Sequence, residues 1–198
     1  MTNEMGRRGF LIGGVAAAIG TGLFLAEPGA SASAATQSSA LPKPVSAAAS
    51  KGFTDLAGVR TEYSAAVKSW PLALPAGYSL PTASQLQDPA DGPAQWERGS
   101  GLAEAYGYWF TLTAVAAVAA SRRGDLSASQ VHLDTLVSAQ SSTIARSVID
   151  DPDGLVIREV ITPARNQQDF SKLSSAFGLD RLDPTSPVAR IARAAGDL

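Results

Sequence analysis

The 198-residue chain contains no cysteine and a single histidine, His132. The first absence excludes disulfides, thiolate metal sites and a lipid anchor on cysteine. The second removes the usual base for nucleophilic catalysis, since a Ser–His or Cys–His pair needs an imidazole beside its nucleophile. Asp134 stands two residues from His132, and on a helix such neighbours face different directions, so His132 reads as a surface or rim residue. No G-x-S-x-G, H-E-x-x-H or C-x-x-C motif occurs, and no cofactor fingerprint or metal-ligand spacing is present. Asp151-Pro152-Asp153-Gly154 resembles part of a calcium loop. With Gly154 at the sixth place, however, Ile149 and Val160 fall where acidic ligands belong, so the stretch reads as a turn. A surplus of one charge is missing too. Sixteen basic residues against 18 acidic ones leave a net charge of −2, with no excess of cations to neutralise phosphates, which speaks against nucleic acid. Apolar runs of membrane length are scarce: residues 105–120 make a stretch of 16, short of the roughly 20 that a spanning helix needs, and read as a buried core helix.

What is there begins with a three-part N-terminus. Arg7 and Arg8 precede an apolar stretch over 10–26, Glu27-Pro28-Gly29 breaks it, and Ala30-Ser31-Ala32 and Ala32-Ser33-Ala34 each offer a small-residue cleavage site. The stretch RRGFL, with Arg7, Arg8, Phe10 and Leu11, resembles the twin-arginine export consensus. That resemblance implies transport of the folded chain by the twin-arginine translocase, removal of residues 1–34, and an extracytoplasmic product, secreted or associated with the cell envelope. Cleavage after Ala34 leaves 164 residues with no stable membrane span, a length that suits one domain with its own core. Residues 35–50 are rich in Ala, Ser and Pro and read as a flexible tether, leaving 51–198 as the domain.

Within 51–198 the periodicity predicts a mainly α fold, a small helical domain built on an antiparallel helix hairpin with a long Pro-rich loop. Phe53, Leu56, Tyr63, Val67 and Trp70 recur as one helical face that Pro71 stops. Five prolines from Pro71 to Pro93 then forbid a regular element. Ser100 is the expected cap of a helix over 102–123, ending in Arg122, Arg123 and Gly124. Arg123-Gly124-Asp125, an adhesion tripeptide by its letters, is accounted for by this turn. Ser127-Ala128-Ser129-Gln130 is the capping box expected to open the second helix, with Leu133, Leu136, Val137, Ile144 and Val148 on one face. Residues 155–161 fit either a strand or a helix. Thr162-Pro163 reads as the start of a helix carrying Phe170, Leu173 and Phe177 to a stop at Gly178, and Ser186-Pro187 as the start of the last.

The candidate ligand site is the aromatic helix start and the loop before it: Trp70, Tyr78, Trp96, Glu104, Tyr106, Tyr108 and Trp109. Those rings either glue the loop to the helix or line a concave site with tyrosine hydroxyls and Glu104 at its mouth. The composition favours a non-enzymatic module that binds a protein partner or a cell-envelope component. A carboxylate enzyme using Glu104 and a tyrosine as its acid–base pair remains chemically open.

Two further resemblances bear on the domain. Trp70-Pro71, Leu74-Pro75-Ala76-Gly77, Gly99, Gly101, Ala105 and Trp109 form a pattern similar to one in small exported actinobacterial proteins of unknown function, which implies no activity. Phe170, Leu173-Ser174, Gly178 and Leu182-Asp183-Pro184 resemble a pattern in the small helical subunits of flavin-dependent sugar-alcohol dehydrogenases. That likeness implies an accessory subunit escorting a folded oxidoreductase partner through the twin-arginine pathway, with the cofactor in the partner and none here.

Overall fold

Helix caps set most of the boundaries in the computed structural model, which describes residues 52–198. The expected signal, with Arg7, Arg8, Phe10 and Leu11, and the 35–50 tether lie outside the described residues. The carboxylate of Asp55 accepts from the Gly58 N–H at 2.8 Å and so starts α1, Leu56–Lys68, which buries Val59 and Tyr63. Phe53 therefore does not open the helical face expected of it. It lies in β1, Phe53–Thr54, paired antiparallel with β2, Trp96–Glu97, and is 43 % exposed. This two-residue bridge closes the base of the Pro-rich loop, which holds no regular element between α1 and β2.

The centre of the fold is α2, Ser100–Arg122, with 18 of its 23 residues buried, so the other elements wrap around it. Ser100 is not its cap. Gly99, at φ 95°, occupies the cap position, and the Ser100 hydroxyl turns back to Glu97 O at 2.7 Å. Glycine offers no capping side chain, so Glu62 of α1 supplies one. Its Oε2 accepts from the Gly99 and Gly101 N–H groups at 2.9 and 3.3 Å, placing a carboxylate at the positive end of α2.

α3, Leu126–Ala139, returns along α2 as the second arm of the hairpin. Gly124 at φ 79° turns the chain, and Asp125, two residues before the expected box, caps α3 through the Ala128 N–H at 2.9 Å. Ser129 is thus freed to donate to Ala117 O on α2 at 2.9 Å. Gln140 donates to the Tyr106 hydroxyl at 3.2 Å, and the two pairs are equally displaced along both helices, as an antiparallel pair requires. The second arm also ends earlier than expected. Gln140, Ser141 and Ser142 interrupt it, and Ser142 caps a separate α4, Thr143–Val148, because hydroxyl side chains compete for backbone groups inside a helix.

The ambiguous 155–161 stretch is helical. The Asp151 carboxylate accepts from the Leu155 and Val156 N–H groups at 2.7 and 2.9 Å and launches a π-helical turn, Val156–Ile161. That turn runs straight into α5, Thr162–Gln167, so Thr162 donates back to Ile157 O at 2.8 Å instead of capping. Gln168, at φ 57°, ends α5, and Leu173 belongs to a separate α6, Ser171–Ala176, with Phe170 and Phe177 at its two ends. Gly178 stops it at φ 61° as expected, and Ser186 caps α7, Pro187–Ala194, which buries Val188. Phe177 stacks on Phe110 of α2 with centroids 4.7 Å apart. The fold is mainly α, as the periodicity implies. Among the described residues no helix is long and apolar enough to cross a membrane.

Candidate functional site

Four side chains fasten the Pro-rich loop to the helices and to the C-terminal segment after α7. The Trp109 indole donates to Ala73 O at 2.7 Å, and the Tyr63 hydroxyl to Pro81 O at 2.8 Å. Glu104 Oε1 accepts from the Gln85 N–H at 2.7 Å. The Tyr78 hydroxyl donates to Asp197 Oδ2 at 2.5 Å, and the Arg123 guanidinium pairs with the other oxygen of the same carboxylate. Asp197 is largely buried while Arg123 is half-exposed, so the tyrosine contact carries more of this clasp than the ion pair. We expect Tyr78→Phe to cost about 1.5 kcal/mol, lowering the melting midpoint by roughly 4 °C. Asp197→Asn should add less than its single effect to that variant, because the two share one contact; thermal melts of the double-mutant cycle check this.

The loop gathers most of the expected site residues without leaving them open. Tyr106 packs on Trp109 and Phe110 with centroids at 5.5 and 6.0 Å, and Tyr108 meets the Tyr63 ring edge-on at 6.3 Å. Tyr106, Tyr108 and Trp109 are buried, and Tyr78 nearly so. Trp70 is half-buried, with its indole nitrogen enclosed and unpartnered. Trp96 stands apart on β2, where its indole and the Ala94 N–H close a local turn on Asp88 Oδ1. Glu104 is not at a mouth. It is 1 % exposed, because Leu80, Pro81 and Leu86 are drawn in against the helix start and bring the loop over it.

Burial pushes the Glu104 carboxyl above its usual range, against the opposing pull of the Ser84 hydroxyl and the Gln85 and Leu86 N–H groups. Burial also raises the Tyr63 and Tyr108 phenols, and the Glu104 charge adds to both. On α3, burial lowers His132, with Asp197 and Asp125 opposing and Arg123 assisting. Closed off in this way, Glu104 and a tyrosine reach no polymer from solvent, so the acid–base reading requires the loop to leave.

Compared with known proteins, the chain matches no family model, no curated protein and no solved structure. The surface supplies a second location. An open groove of about 570 Å³ runs between Leu72 and Ala73 of the loop and Val131, Thr135 and Ser138 of α3, over Trp109. The Thr135 and Ser138 hydroxyls donate to the carbonyls of Val131 and Asp134, both at 2.8 Å, which commits their protons and leaves their oxygens only as acceptors. Asp134 is engaged on one oxygen by Gln130 and Arg165. The groove thus offers an apolar wall beside hydroxyl acceptors. The α3 residues were not among the candidates because they lie on its polar face. The one signal was Val131, an apolar residue on that face, which is 59 % exposed.

Proposed function

We propose that the chain is an exported, non-catalytic binding module that holds a protein or cell-envelope component in the groove between the Pro-rich loop and α3. The observation that carries this reading is the groove itself, whose loop wall is pinned by the Trp109–Ala73 bond and whose opposite wall is a helix of the central hairpin. A rigid wall loses little freedom on binding, which favours recognition. The RRGFL stretch and the tether support an extracytoplasmic setting.

The test is capture of the tagged full chain from its native culture beside a Ser138→Arg variant, which fills the groove from an exposed position. An Arg190→Glu variant on α7 serves as the control. A companion retained by the parent and the control, and reduced at least about tenfold by Ser138→Arg, is the expected result, equivalent to some 1.4 kcal/mol of lost binding. Equal retention by all three overturns the reading. A stoichiometric cofactor-bearing companion with no signal of its own, still bound by Ser138→Arg, replaces it with the escort subunit.

A further inference from the structure

Hydrogen bonding in the groove is one-sided, and the imbalance points to a chemistry. Its lining includes the hydroxyls of Thr135, Ser138, Ser141 and Ser142. The first three commit their protons to main-chain carbonyls: Thr135 to Val131 O, Ser138 to Asp134 O and Ser141 to Ser138 O, each at 2.8 Å. Their oxygens can therefore only accept. Ser142 alone among the four keeps a proton to give, its oxygen accepting from the Ala145 N–H at 3.1 Å.

Asp134 completes the acceptor side. Its Oδ1 takes both Gln130 Nε2 at 3.0 Å and Arg165 Nε at 2.6 Å, and among the described residues its Oδ2 has no partner. Arg165 reaches it from α5, but both side chains of that pair are close to half-exposed, where an ion pair contributes little. Among the described residues no cationic side chain lines the groove itself. Leu72, Ala73 and Val131 supply apolar surface beside these oxygens.

A carboxylate or phosphate needs donors that such a lining lacks. Neutral sugar hydroxyls would leave the free Asp134 oxygen without a countercharge. A guanidinium is strongest when it forks onto both oxygens of a carboxylate, and here Oδ1 is already taken twice. An ammonium needs only one carboxylate oxygen, offers three N–H groups and accepts nothing. On a lysine it also ends a four-carbon stem that lies readily along apolar surface.

We propose that the groove takes a lysine side chain of a protein partner, with its ammonium on Asp134 Oδ2 and the neighbouring hydroxyl oxygens and its stem along Leu72, Ala73 and Val131. This rests on the groove being a binding site and adds what fills it.

The probe is the acetylated, amidated pentapeptide Ala-Leu-Lys-Leu-Ala, titrated at millimolar concentration into the isotope-labelled full chain. Its two companions carry Nε-acetyl-lysine or arginine at the centre. The lysine peptide should shift the amide signals of residues 131–142 and bind at least about tenfold more tightly than the acetylated one. The arginine peptide should fall between them. Raising the salt from about 0.05 to 0.5 M should weaken the lysine peptide severalfold, as screening of a surface charge requires. Asp134→Asn keeps an acceptor for Gln130 and Arg165 but removes the charge, so it should bring the lysine peptide down to the acetylated level. Arg165→Gln removes the rival cation and should tighten the lysine peptide by about threefold, a gain that a merely structural Asp134–Arg165 pair would not give.

Equal binding of the lysine and acetylated peptides, no shift in 131–142 with either, tighter binding of arginine, or weaker lysine binding in Arg165→Gln each overturns the proposal. If the Ser138→Arg variant still loses its companion, any of these results removes the lysine and leaves the groove. Retention of the companion by Ser138→Arg removes the groove as well.

Discussion

Replacing Gly101 with alanine is expected to lower the melting midpoint by about 10 °C, from roughly 3 kcal/mol of overpacking at about 3 °C per kcal/mol for a domain of this size. The added Cβ would lie 2.4 Å from Val59 O and 2.5 Å from Tyr63 N, with Glu62 Cβ at 2.8 Å. The first two are backbone atoms inside α1 and cannot rotate away, so the whole helix must retreat. Its retreat also draws Glu62 off the Gly99 and Gly101 N–H groups, and α2 loses its cap. Local propensity argues the other way, because alanine in place of glycine within a helix is worth about 1 kcal/mol in its favour. Thermal melts therefore decide between packing and propensity by sign alone. A midpoint at or above that of the parent would refute the close crossing of α1 and α2.

The same residue shows how far a chain can be read before it is folded. Gly99, Gly101, Ala105 and Trp109 stand out in the sequence as a pattern, yet nothing local says what the pattern does. In the fold Gly99 takes a left-handed turn, Gly101 admits α1, and Ala105 and Trp109 are buried without residual exposure. The hairpin and the Ser186 cap were legible because their signals are local: an apolar period, Gly124 at a turn, a serine followed by proline. The caps at Ser100 and Ser127 were misplaced because a competing carboxylate outbid each. One of these is Glu62, 37 residues away from Gly99 along the chain, and the other is Asp125, just after the turn.

Breaks inside apolar periodicity were harder still. Ile144 and Val148 continue the spacing of α3, and Phe170 and Phe177 continue that of α5, but hydroxyl-rich 140–142 and a left-handed Gln168 interrupt the helices. Periodicity records which residues face the core, and a chain can keep that facing across a kink. For the site, the aromatic composition located the loop–helix contact correctly as a place and said nothing of its depth. Whether Glu104 meets water depends on where Leu80 and Leu86 bury, which is a tertiary fact. The groove is of the same kind, since the α3 hydroxyls become one wall of a site only when Leu72 and Ala73 are brought opposite them.

Trp109→Ala tests that depth most sharply. The indole is fully buried, meets Phe110 edge-on at 6.1 Å and Tyr106 at 5.5 Å, and ties down Ala73. Truncation leaves a cavity the size of a large ring, at a cost of about 4 kcal/mol, and so lowers the midpoint by roughly 12 °C. That is a large share of the 5–15 kcal/mol by which ordinary domains are stable, so the variant should be folded at low temperature and marginal at the growth temperature of a mesophile. Trp109→Phe keeps most of the ring and loses the N–H, for which about 1–2 kcal/mol is expected. Its effect should concentrate in the loop, with amide exchange quickening near Leu74 while the α2–α3 hairpin stays protected. A tryptophan serving chiefly to stack on a ligand predicts the opposite pair of results: an alanine variant that melts with the parent, and a loop that exchanges no faster in either variant. A buried tryptophan holding the loop by one bond and the core by its faces requires both losses, in that order of size.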